Sequence, residues 1–262
     1  MKSVDPKPIY TPANCNPSYR LTWSLTLFWR EPIASTDWLI DLKASTESDG
    51  VRILKHRTTQ TRVSQFFIST KPEVSPQNII RSVKGRLQHK IRKVIPKAFQ
   101  RNYYLHSIGA AKRELVEHYV AHQLDHHRMA DQKVQARLAR YQINNSGVDL
   151  SQSVNSAHGK YIYNLHLVMV NVERWVEIRD EILGKLKNMI IAAAQKNNYR
   201  LSAAGIFPDH IHVTLGCSIN TSPREVALGY LNNLAYAWGM KPIYQASYYV
   251  GTFGEYDTGV IG

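Results

Sequence analysis

Two histidines in the last third of the chain have the spacing of metal ligands. His210 and His212 flank Ile211 in the segment 205–215, whose residues alternate as they do in a β-strand. Side chains two residues apart on a strand point to the same face, so we expect both imidazoles to reach one point while Ile211 and Val213 face a core. The sequence therefore predicts half of a metal site, whose other ligands must lie elsewhere in the chain.

The chain that carries these histidines has the composition of an ordinary globular protein. It has 262 residues, 44% of them hydrophobic, enough for one large domain or two of average size. Cys15 and Cys217 form no CxxC motif, which argues against a disulfide scaffold or a thiolate metal site and favours a reducing cytosol. No apolar stretch follows residues 1–6, and no run approaches the about 20 apolar residues of a membrane span. We therefore expect a cytoplasmic protein without a signal peptide.

The positive charge is confined to the first half of the chain. The formal net charge is +13. Residues 1–145 contain 24 Lys and Arg against 11 Asp and Glu, whereas residues 146–262 contain 9 of each. A folded basic protein of this kind is typical of those that bind a polyanion, and nucleic acid is the expected partner of the first half.

An internal duplication explains this asymmetry. Three pairs of segments match in the same order, at offsets that drift only between 144 and 147 residues: 19–21 with 163–165, 74–76 with 221–223, and 102–109 with 247–254. Repeats at a long fixed period indicate duplicated structural units. We interpret the chain as two diverged copies, 17–125 (repeat 1) and 160–262 (repeat 2), joined by a helix extension and linker at 126–159.

Both repeats show the same order of elements. A first strand is predicted at 19–28 and 161–170, and in repeat 2 a helix follows at 172–196, with apolar residues every three or four positions (Trp175, Ile178, Ile182, Leu186, Ile190). Its counterpart in repeat 1 is short and rich in Ser and Thr. Ser75-Pro76 and Ser222-Pro223 each indicate a helix start, and Glu225 adds a capping box. The order βαββαβ predicts an α+β fold of two ferredoxin-like repeats with antiparallel sheets, merged as a pseudo-dimer.

The two repeats are expected to differ after their last strand. Repeat 1 continues into a predicted long helix from Ala110 to about Tyr141, with an apolar stripe that includes Tyr119. Repeat 2 has only eight residues after Gly254, so we expect it to lack this helix. The segment 144–158, rich in Ser and Asn, predicts a flexible linker.

Each repeat also lacks a chemical feature of the other. An offset of 147 residues places Val63 and Gln65 opposite the two histidines, so repeat 1 has no matching metal ligands. Repeat 1 instead offers Tyr119 and Gln123, which are four residues apart and therefore share one helical face.

These motifs together resemble those of the single-tyrosine HUH transposases of small insertion sequences and the related REP-associated tyrosine transposases. That family combines a ferredoxin-like fold with a strand motif His-hydrophobic-His, matched by His210-Ile211-His212, and a helix motif Tyr-x-x-x-Gln, matched by Tyr119 to Gln123. The flanking Pro208-Asp209 and the Ser-Pro helix starts are also similar, and the resemblance covers most of both repeats. It implies that Tyr119 attacks single-stranded DNA, and that His210, His212 and Gln123 hold Mg²⁺ or Mn²⁺.

The resemblance also implies how the site is assembled. Many members are dimers in which the tyrosine helix of one subunit completes the histidine site of the other. This chain is similar to such a dimer fused into one polypeptide, with one site kept and one lost. Because a transposase dimer cuts two ends and one chain here has one site, we expect autonomous transposition to require the association of two chains. The sequence is compatible with both a monomeric pseudo-dimer and a homodimer.

The expected DNA contacts lie in repeat 1. In the family, the region after the Ser-Pro helix start grips a DNA hairpin. The matching cations here are Arg81, Lys84, Arg86, Lys90, Arg92, Lys93, Lys97 and Arg101. A solvated charged face is the alternative for this run. The two Tyr-Tyr pairs can stack on unpaired bases or belong to the sheet core: Tyr103, Tyr104, Tyr248 and Tyr249. Three histidines on one helical face can form a second metal site, a DNA-facing edge or a solvated surface: His118, His122 and His126.

The expected function is that of a metal-dependent single-strand DNA nuclease and strand-transferase, acting through a 5′-phosphotyrosine intermediate in DNA transposition or related recombination at hairpin-containing DNA. A tyrosine phenol is a weak nucleophile at neutral pH, so it needs help from a metal at the scissile phosphate. We expect such a protein in the prokaryotic cytosol, associated with the nucleoid. The alternative is a domesticated, catalytically inactive protein that binds DNA hairpins.

Overall fold

The computed structural model describes residues 7–126 and 131–259. The first part contains β1 (Asn16–Arg20), β2 (Thr22–Trp29), α1 (Trp38–Glu47), β3 (Val51–Thr59), β4 (Val63–Thr70), α2 (Pro76–Ile80), a π-helical turn (Arg81–Gly85), α3 (Arg86–Ile91), β5 (Phe99–Ile108), α4 (Arg113–Ala121) and α5 (Gln123–His126). The segment from β2 to β5 follows the predicted order βαββαβ, with α2, the π-helical turn and α3 acting as one helical unit. The helix α1, of ten residues, is short as predicted.

The second part repeats this order. It contains α6 (Gln132–Ala139), β6 (Ile143–Asn144), β7 (Val154–Ser156), β8 (Gly159–Ile162), β9 (Asn164–Val170), a 3-10 turn (Val172–Arg174), α7 (Asp180–Lys196), β10 (Arg200–Ile206), β11 (His210–Gly216), α8 (Pro223–Ala237) and β12 (Ser247–Phe253). The segment from β9 to β12 is the second βαββαβ unit. The α+β fold of two ferredoxin-like repeats is therefore confirmed.

Each repeat supplies four strands of one six-stranded sheet and one strand of the other, and the segment between the repeats adds β6 and β7 at the sheet edges. Sheet 1 has the order β3-β4-β2-β5-β8-β7, and sheet 2 has the order β1-β12-β9-β11-β10-β6. The strand β1 pairs in parallel with β12 of repeat 2, and β8 pairs in parallel with β5 of repeat 1. The predicted first strands are therefore each divided, at Leu21 and at Tyr163, because the chain crosses there from one sheet to the other. This reciprocal exchange joins the repeats into a pseudo-dimer whose sheets are mixed at their outer strands.

The apolar faces of both sheets pack against helices. In repeat 1, Trp23, Leu25 and Leu27 of β2 are fully buried in the core. In repeat 2, Ile211 and Val213 are buried as predicted, and α7 and α8 pack against each other. The opposite face of sheet 2 is the one that receives the histidines.

The two predicted helix starts are present. The Ser75 side chain accepts a hydrogen bond from the Asn78 backbone N–H, and Pro76 occupies the first turn. Ser222 forms a full capping box with Glu225, in which each side chain bonds the other residue's backbone N–H. Both arrangements satisfy N–H groups that a helix end otherwise leaves unpaired.

The helix predicted at 172–196 is wrong in its first third, since α7 begins only at Asp180. Asn171 donates from its side-chain amide to the carbonyl oxygens of Trp175 and Pro208, and the Glu177 N–H also bonds to Pro208. These long-range bonds fix 172–179 as a loop beside the β10–β11 turn. Trp175 and Ile178, predicted to face the core, are consequently exposed.

Two further local predictions are corrected. The helix predicted from Ala110 to about Tyr141 begins at Arg113 and is interrupted at His122, whose φ of −110° and ψ of 13° are not helical. Residues 127–130 of that helix lie outside the described part. The segment 144–158 is not a flexible linker throughout, because Asn144 pairs with β10 and β7 pairs with β8. In the described residues, no helix is long and apolar enough to cross a membrane.

Candidate metal and tyrosine site

The predicted histidine pair lies on a central strand of sheet 2. The strand β11 pairs with β9 on one side and β10 on the other, so that His212 lies opposite Val168 and Gly205. Both histidines are more than nine-tenths buried, and their ring centroids are 5.1 Å apart. The alternation predicted from the sequence therefore places both imidazoles on the face opposite the core.

The helical segments at the end of repeat 1, α4 and α5, bring the other two predicted residues to this face. Helix α4 packs on β10 and β11. The Gln123 amide Nε2 lies 3.0 Å from Nε2 of His212 and 3.1 Å from the Tyr119 hydroxyl. The Tyr119 ring meets the His212 ring edge to face, with centroids 6.0 Å apart. Gln123 is buried, whereas Tyr119 is 42% exposed. Residues separated by about ninety positions thus form one cluster that joins both repeats.

Gly205 makes this approach possible. A Cβ atom at this position would lie 2.8 Å from the Phe207 ring and 3.2 Å from Oε1 of Gln123. Any side chain here would therefore collide with Phe207 or displace the helical segment that carries Gln123. The absence of a side chain at Gly205 is a steric condition for the cluster.

A third histidine, His166, contacts His212 although no motif in the sequence marked it. His166 on β9 has Nε2 2.9 Å from Nδ1 of His212, and the two rings stack at 25°. Burial lowers the pKa of His166 to about 4, so this residue is neutral at pH 7. If Nδ1 of His212 donates its proton to His166, its Nε2 presents a lone pair toward Gln123 and Tyr119. His166 occupies an alternating position of the predicted first strand, which was the available sequence signal.

His210 is oriented by its neighbour in sequence. Its Nδ1 lies 2.6 Å from Oδ1 of Asp209, whose other oxygen accepts from Arg174 at 3.0 Å. Burial opposes ionisation of Asp209, but these hydrogen bonds and charges outweigh burial and hold its pKa below the usual range. A carboxylate on Nδ1 leaves Nε2 of His210 as the nitrogen with a free lone pair for a metal. The ring also stacks on Phe207, with centroids 4.8 Å apart.

The donor set suits a hard or borderline divalent cation. Two imidazole nitrogens and one amide oxygen leave room for oxygen ligands from a substrate, as Mg²⁺ and Mn²⁺ require, whereas a closed zinc site needs a fourth protein ligand. Oε1 of Gln123 is buried and has no hydrogen-bond partner in the described part of the chain. A half-turn of the amide exchanges Oε1 with Nε2 and directs this unpaired oxygen toward His212 and Tyr119. The residues therefore fit such an ion.

The matching face of repeat 1 has different side chains at the same positions. Gln65 lies opposite Thr26, the fifth residue of β2, just as His212 lies opposite Val168, the fifth residue of β9. By the same register Val63 corresponds to His210. The Gln65 amide donates to Ser24 Oγ at 2.9 Å, where repeat 2 has the pair His212 and His166. Repeat 1 therefore has no histidine on this strand pair in place of either predicted ligand.

The predicted DNA-binding cations divide into two groups. Lys84 donates to the backbone carbonyls of Gln100 and Arg101, Arg86 pairs with Asp49, and Lys90 pairs with Asp41 at 3.0 Å. These three have structural partners within repeat 1. The other five are exposed, and none forms an ion pair with another described residue: Arg81, Arg92, Lys93, Lys97 and Arg101.

The remaining candidates are spread over different environments. Tyr248 is buried in the core, whereas Tyr103, Tyr104 and Tyr249 are half-buried. His118 and His122 stack with ring centroids 4.1 Å apart, and the side chain of His126 lies outside the described part. No group of three or more His, Cys, Asp and Glu side chains with the arrangement of a metal site occurs among residues 7–126 and 131–259. The candidate site instead depends on an amide as its third ligand.

Comparison with known proteins identifies a family whose model matches this chain. The model of the family described as "Transposase IS200 like" matches residues 42–123 and 160–262, one segment in each repeat. Among solved structures, a REP-associated tyrosine transposase bound to a REP hairpin is 14% identical with a TM-score of 0.31, over 35% of this chain and 56% of that chain. A microcompartment protein from Desulfitobacterium hafniense DCB is 11% identical with a TM-score of 0.22, over 88% of this chain and 93% of that one. No curated protein sequence matches the chain.

Proposed function

We propose a function from one premise, which is that this chain belongs to the family of IS200-like transposases. It cleaves and rejoins single-stranded DNA through a covalent bond to Tyr119, at one site that uses residues of both repeats. The observation that carries the proposal is the hydrogen-bonded group of Tyr119, Gln123 and His212, with atoms 3.0 and 3.1 Å apart. A structural tyrosine of a helix stripe would be buried, whereas this one is 42% exposed beside buried ligand-type side chains.

The reaction is a transfer of one phosphodiester bond. The Tyr119 oxygen forms a bond to phosphorus while the bond from phosphorus to O3′ of the leaving strand breaks. The phenol proton is released and the leaving oxygen takes up a proton, which gives a 5′-phosphotyrosine and a free 3′-OH. The new ester keeps the free energy of the broken one, so rejoining needs no ATP. Exposure of Tyr119 lets a bulky phosphodiester reach it.

Three side chains would hold the divalent cation: His210 and His212 through Nε2, and Gln123 through Oε1. A bound Mg²⁺ or Mn²⁺ would polarise the phosphoryl oxygens and offset the charge that develops on them. The protein's own contribution is to hold these ligands in place before DNA binds. Asp209 orients His210, His166 orients His212, and Gly205 leaves room for Gln123.

The proposed substrate is single-stranded DNA that contains a stem-loop. Five exposed cations after the helix start at Pro76 support contact with the phosphates of such a stem: Arg81, Arg92, Lys93, Lys97 and Arg101. Lys84, Arg86 and Lys90 contribute to this surface chiefly by stabilising repeat 1, since their charged groups have partners within it. The site is composite within one chain, so the proposal requires no second subunit for a single cleavage.

A covalent-adduct assay tests the proposal. Single-stranded oligonucleotides with a stem-loop, random flanks and a label at the 3′ end are incubated with the protein in Mg²⁺ or Mn²⁺ and separated under denaturing conditions. We expect a labelled protein band that Tyr119→Phe and EDTA both abolish. Tyr236→Phe is the matched control, because Tyr236 is an exposed helical tyrosine of repeat 2 outside the cluster.

Two results would contradict this function. An adduct that persists in Tyr119→Phe would exclude Tyr119 as the nucleophile. Equal hairpin affinity with and without EDTA, combined with no cleavage of any stem-loop, would favour the alternative of an inactive hairpin-binding protein.

A further inference from the structure

The face of sheet 1 that corresponds to the histidine face has its own set of side chains. We call this the second face. The residues that define it lie on neighbouring strands: Thr26, Lys55, Arg57, Gln65, Phe67, Tyr104, His106 and Lys160. Register places them on one side, because directly paired residues of a sheet share a face. Neighbouring residues such as Leu25 and Phe66 point into the core on the other side.

Arg57 occupies the position of Gly205. Arg57 lies opposite Gln65 in sheet 1, as Gly205 lies opposite His212 in sheet 2. The Arg57 guanidinium donates to Oε1 of Gln65 at 3.0 Å, so a large side chain lies beside Gln65 where Gly205 leaves space for Gln123 beside His212. The space that admits a tyrosine helix on the histidine face is therefore filled here. A helix of this chain, or of a second copy, cannot lie on the second face in the same way.

The second face combines exposed cations with aromatic rings. Lys55, Arg57 and Lys160 are exposed, and none of them belongs to a described ion pair. Phe67 lies directly across from Lys55, and Tyr104 across from Lys160; both side chains are half-buried. The acidic residue near Tyr104 is Glu255, which pairs with Arg113 at 3.6 Å. Cations that alternate with aromatic rings on a sheet suit the phosphates and bases of an unpaired strand.

His106 adds an unused hydrogen-bonding group to this face. It is buried between Tyr104 and Tyr256, with ring centroids 5.2 and 6.0 Å away, and neither ring nitrogen has a hydrogen-bond partner among the described residues. Burial lowers the pKa of His106 to about 4, so at pH 7 it offers one donor and one acceptor. A buried group of this kind is rarely left unpaired, and a base edge that displaces Tyr256 would satisfy it.

We propose that the second face binds a segment of single-stranded DNA, with Arg57, Lys55 and Lys160 on its phosphates and Phe67 and Tyr104 stacked on its bases. The face that corresponds to the histidine face thus serves as a second contact for the unpaired part of the DNA. The inference rests on the proposed function only in taking DNA as the partner, and it requires no cleavage. It assigns to repeat 1 a role separate from its contribution of Tyr119 and Gln123.

Crosslinking and binding measurements test the second face. Single-stranded DNA that carries 5-iododeoxyuridine is irradiated with the whole protein, and the crosslinked peptides are mapped; we expect crosslinks at Phe67 or Tyr104. In fluorescence anisotropy with an unstructured oligonucleotide, Arg57→Ala and Phe67→Ala should each weaken binding about tenfold. Lys196→Ala and Tyr236→Ala are the matched controls, since both residues are exposed on repeat 2. Thermal unfolding verifies that all four variants are folded.

The outcomes separate this inference from the proposed function. Weaker binding in the second-face variants together with no Tyr119 adduct would support the second face while the nuclease proposal fails. A normal adduct with wild-type binding in both variants, and no crosslink on sheet 1, would overturn the second face and leave the nuclease intact. Concentration-dependent dimers that Arg57→Ala abolishes would show that a second copy, rather than DNA, occupies it.

Discussion

Repeat 1 and repeat 2 have different residues at three corresponding positions of their two sheets. Where repeat 2 has His212, His166 and Gly205, repeat 1 has Gln65, Ser24 and Arg57. In both cases a hydrogen bond of 2.9 Å links the first residue to the second across neighbouring strands. At the third position, Gly205 leaves space for a helical segment beside the hydrogen-bonded pair of repeat 2, whereas the Arg57 side chain lies beside the pair of repeat 1.

This difference shows that the fold alone does not determine the chemistry. The strand order and register of the two repeats agree, yet only the face with Gly205 admits Gln123 and Tyr119. Conversely, Gln65 and Arg57 bond to each other and form a polar surface that no longer resembles a metal site. Function in this molecule depends on a few side chains placed on a shared scaffold.

The largest expected effect comes from the paired substitutions His212→Ala and Gln65→Ala. Removal of a metal ligand should lower adduct formation by about 100-fold or more, because the ion's stabilisation of the transition state is worth several kcal/mol. Gln65→Ala, at the matching position of repeat 1, should leave the adduct rate at saturating DNA unchanged, because the second face is proposed to contribute to binding and not to cleavage. The measurement is the single-turnover rate of adduct formation, and equal losses in both variants would contradict a single functional site.

The second comparison concerns His166 and Ser24, which are hydrogen-bonded to His212 and Gln65. His166→Ala should weaken divalent-metal affinity about 10- to 100-fold, since a histidine ligand loses the partner that orients it. Ser24→Ala should leave that affinity unchanged. Isothermal titration with Mn²⁺ measures both, and recovery by His166→Asn, which can still accept a hydrogen bond, would identify orientation as the cause. Unchanged affinity in His166→Ala would exclude this role.

The third comparison concerns Gly205 and Arg57, which occupy matching positions of the two sheets. Gly205→Ala should destabilise the fold by at least about 1 kcal/mol, because the new Cβ lies 2.8 Å from the Phe207 ring and something must shift. Arg57→Ala at the matching position removes only an exposed side chain and should change stability little. Urea unfolding followed by fluorescence measures both. Similar values for the two variants would show that α4 does not need the space at Gly205.

The smallest expected difference is between the two helix caps. Ser222→Ala should cost about 1 kcal/mol or more, since a reciprocal capping box is lost. Ser75→Ala should cost less, because Ser75 makes one longer bond of 3.3 Å to the Asn78 N–H. The same urea titration ranks them, and the reverse order would mean that packing around the caps matters more than the hydrogen bonds.

Much of the fold was predictable because short-range patterns encode it. Alternating residues identified β11, and the Ser-Pro pairs identified the starts of α2 and α8. The offset between repeats placed Val63 and Gln65 opposite the histidine positions, in agreement with the strand register. The grouping of Tyr119, Gln123 and His212 could also be expected from the family resemblance, although their roles stay predictions.

Features that depend on distant contacts could not be predicted. The loop 172–179 has a helical pattern, but its backbone bonds to Pro208 and Asn171 override it. The interruption at His122 and the exchange of β1 and β8 likewise have no local signal. The contact between His166 and His212 depends on the pairing of β9 with β11, which no local pattern encodes. Arg57 and Gly205 could be matched only once the register was known.

The exchanged strands β1 and β8 also change how the site responds to dilution. In a dimer held together by separate chains, a composite site falls apart when the protein concentration drops below the dissociation constant. Here the two halves are tethered and interlaced, so their effective concentration is independent of the amount of protein. A protease that cuts between α6 and β7 would not release two intact domains, because sheet 1 would lose β8 and β7 and sheet 2 would lose β1. A single molecule thus keeps both halves of the candidate site together at any protein concentration.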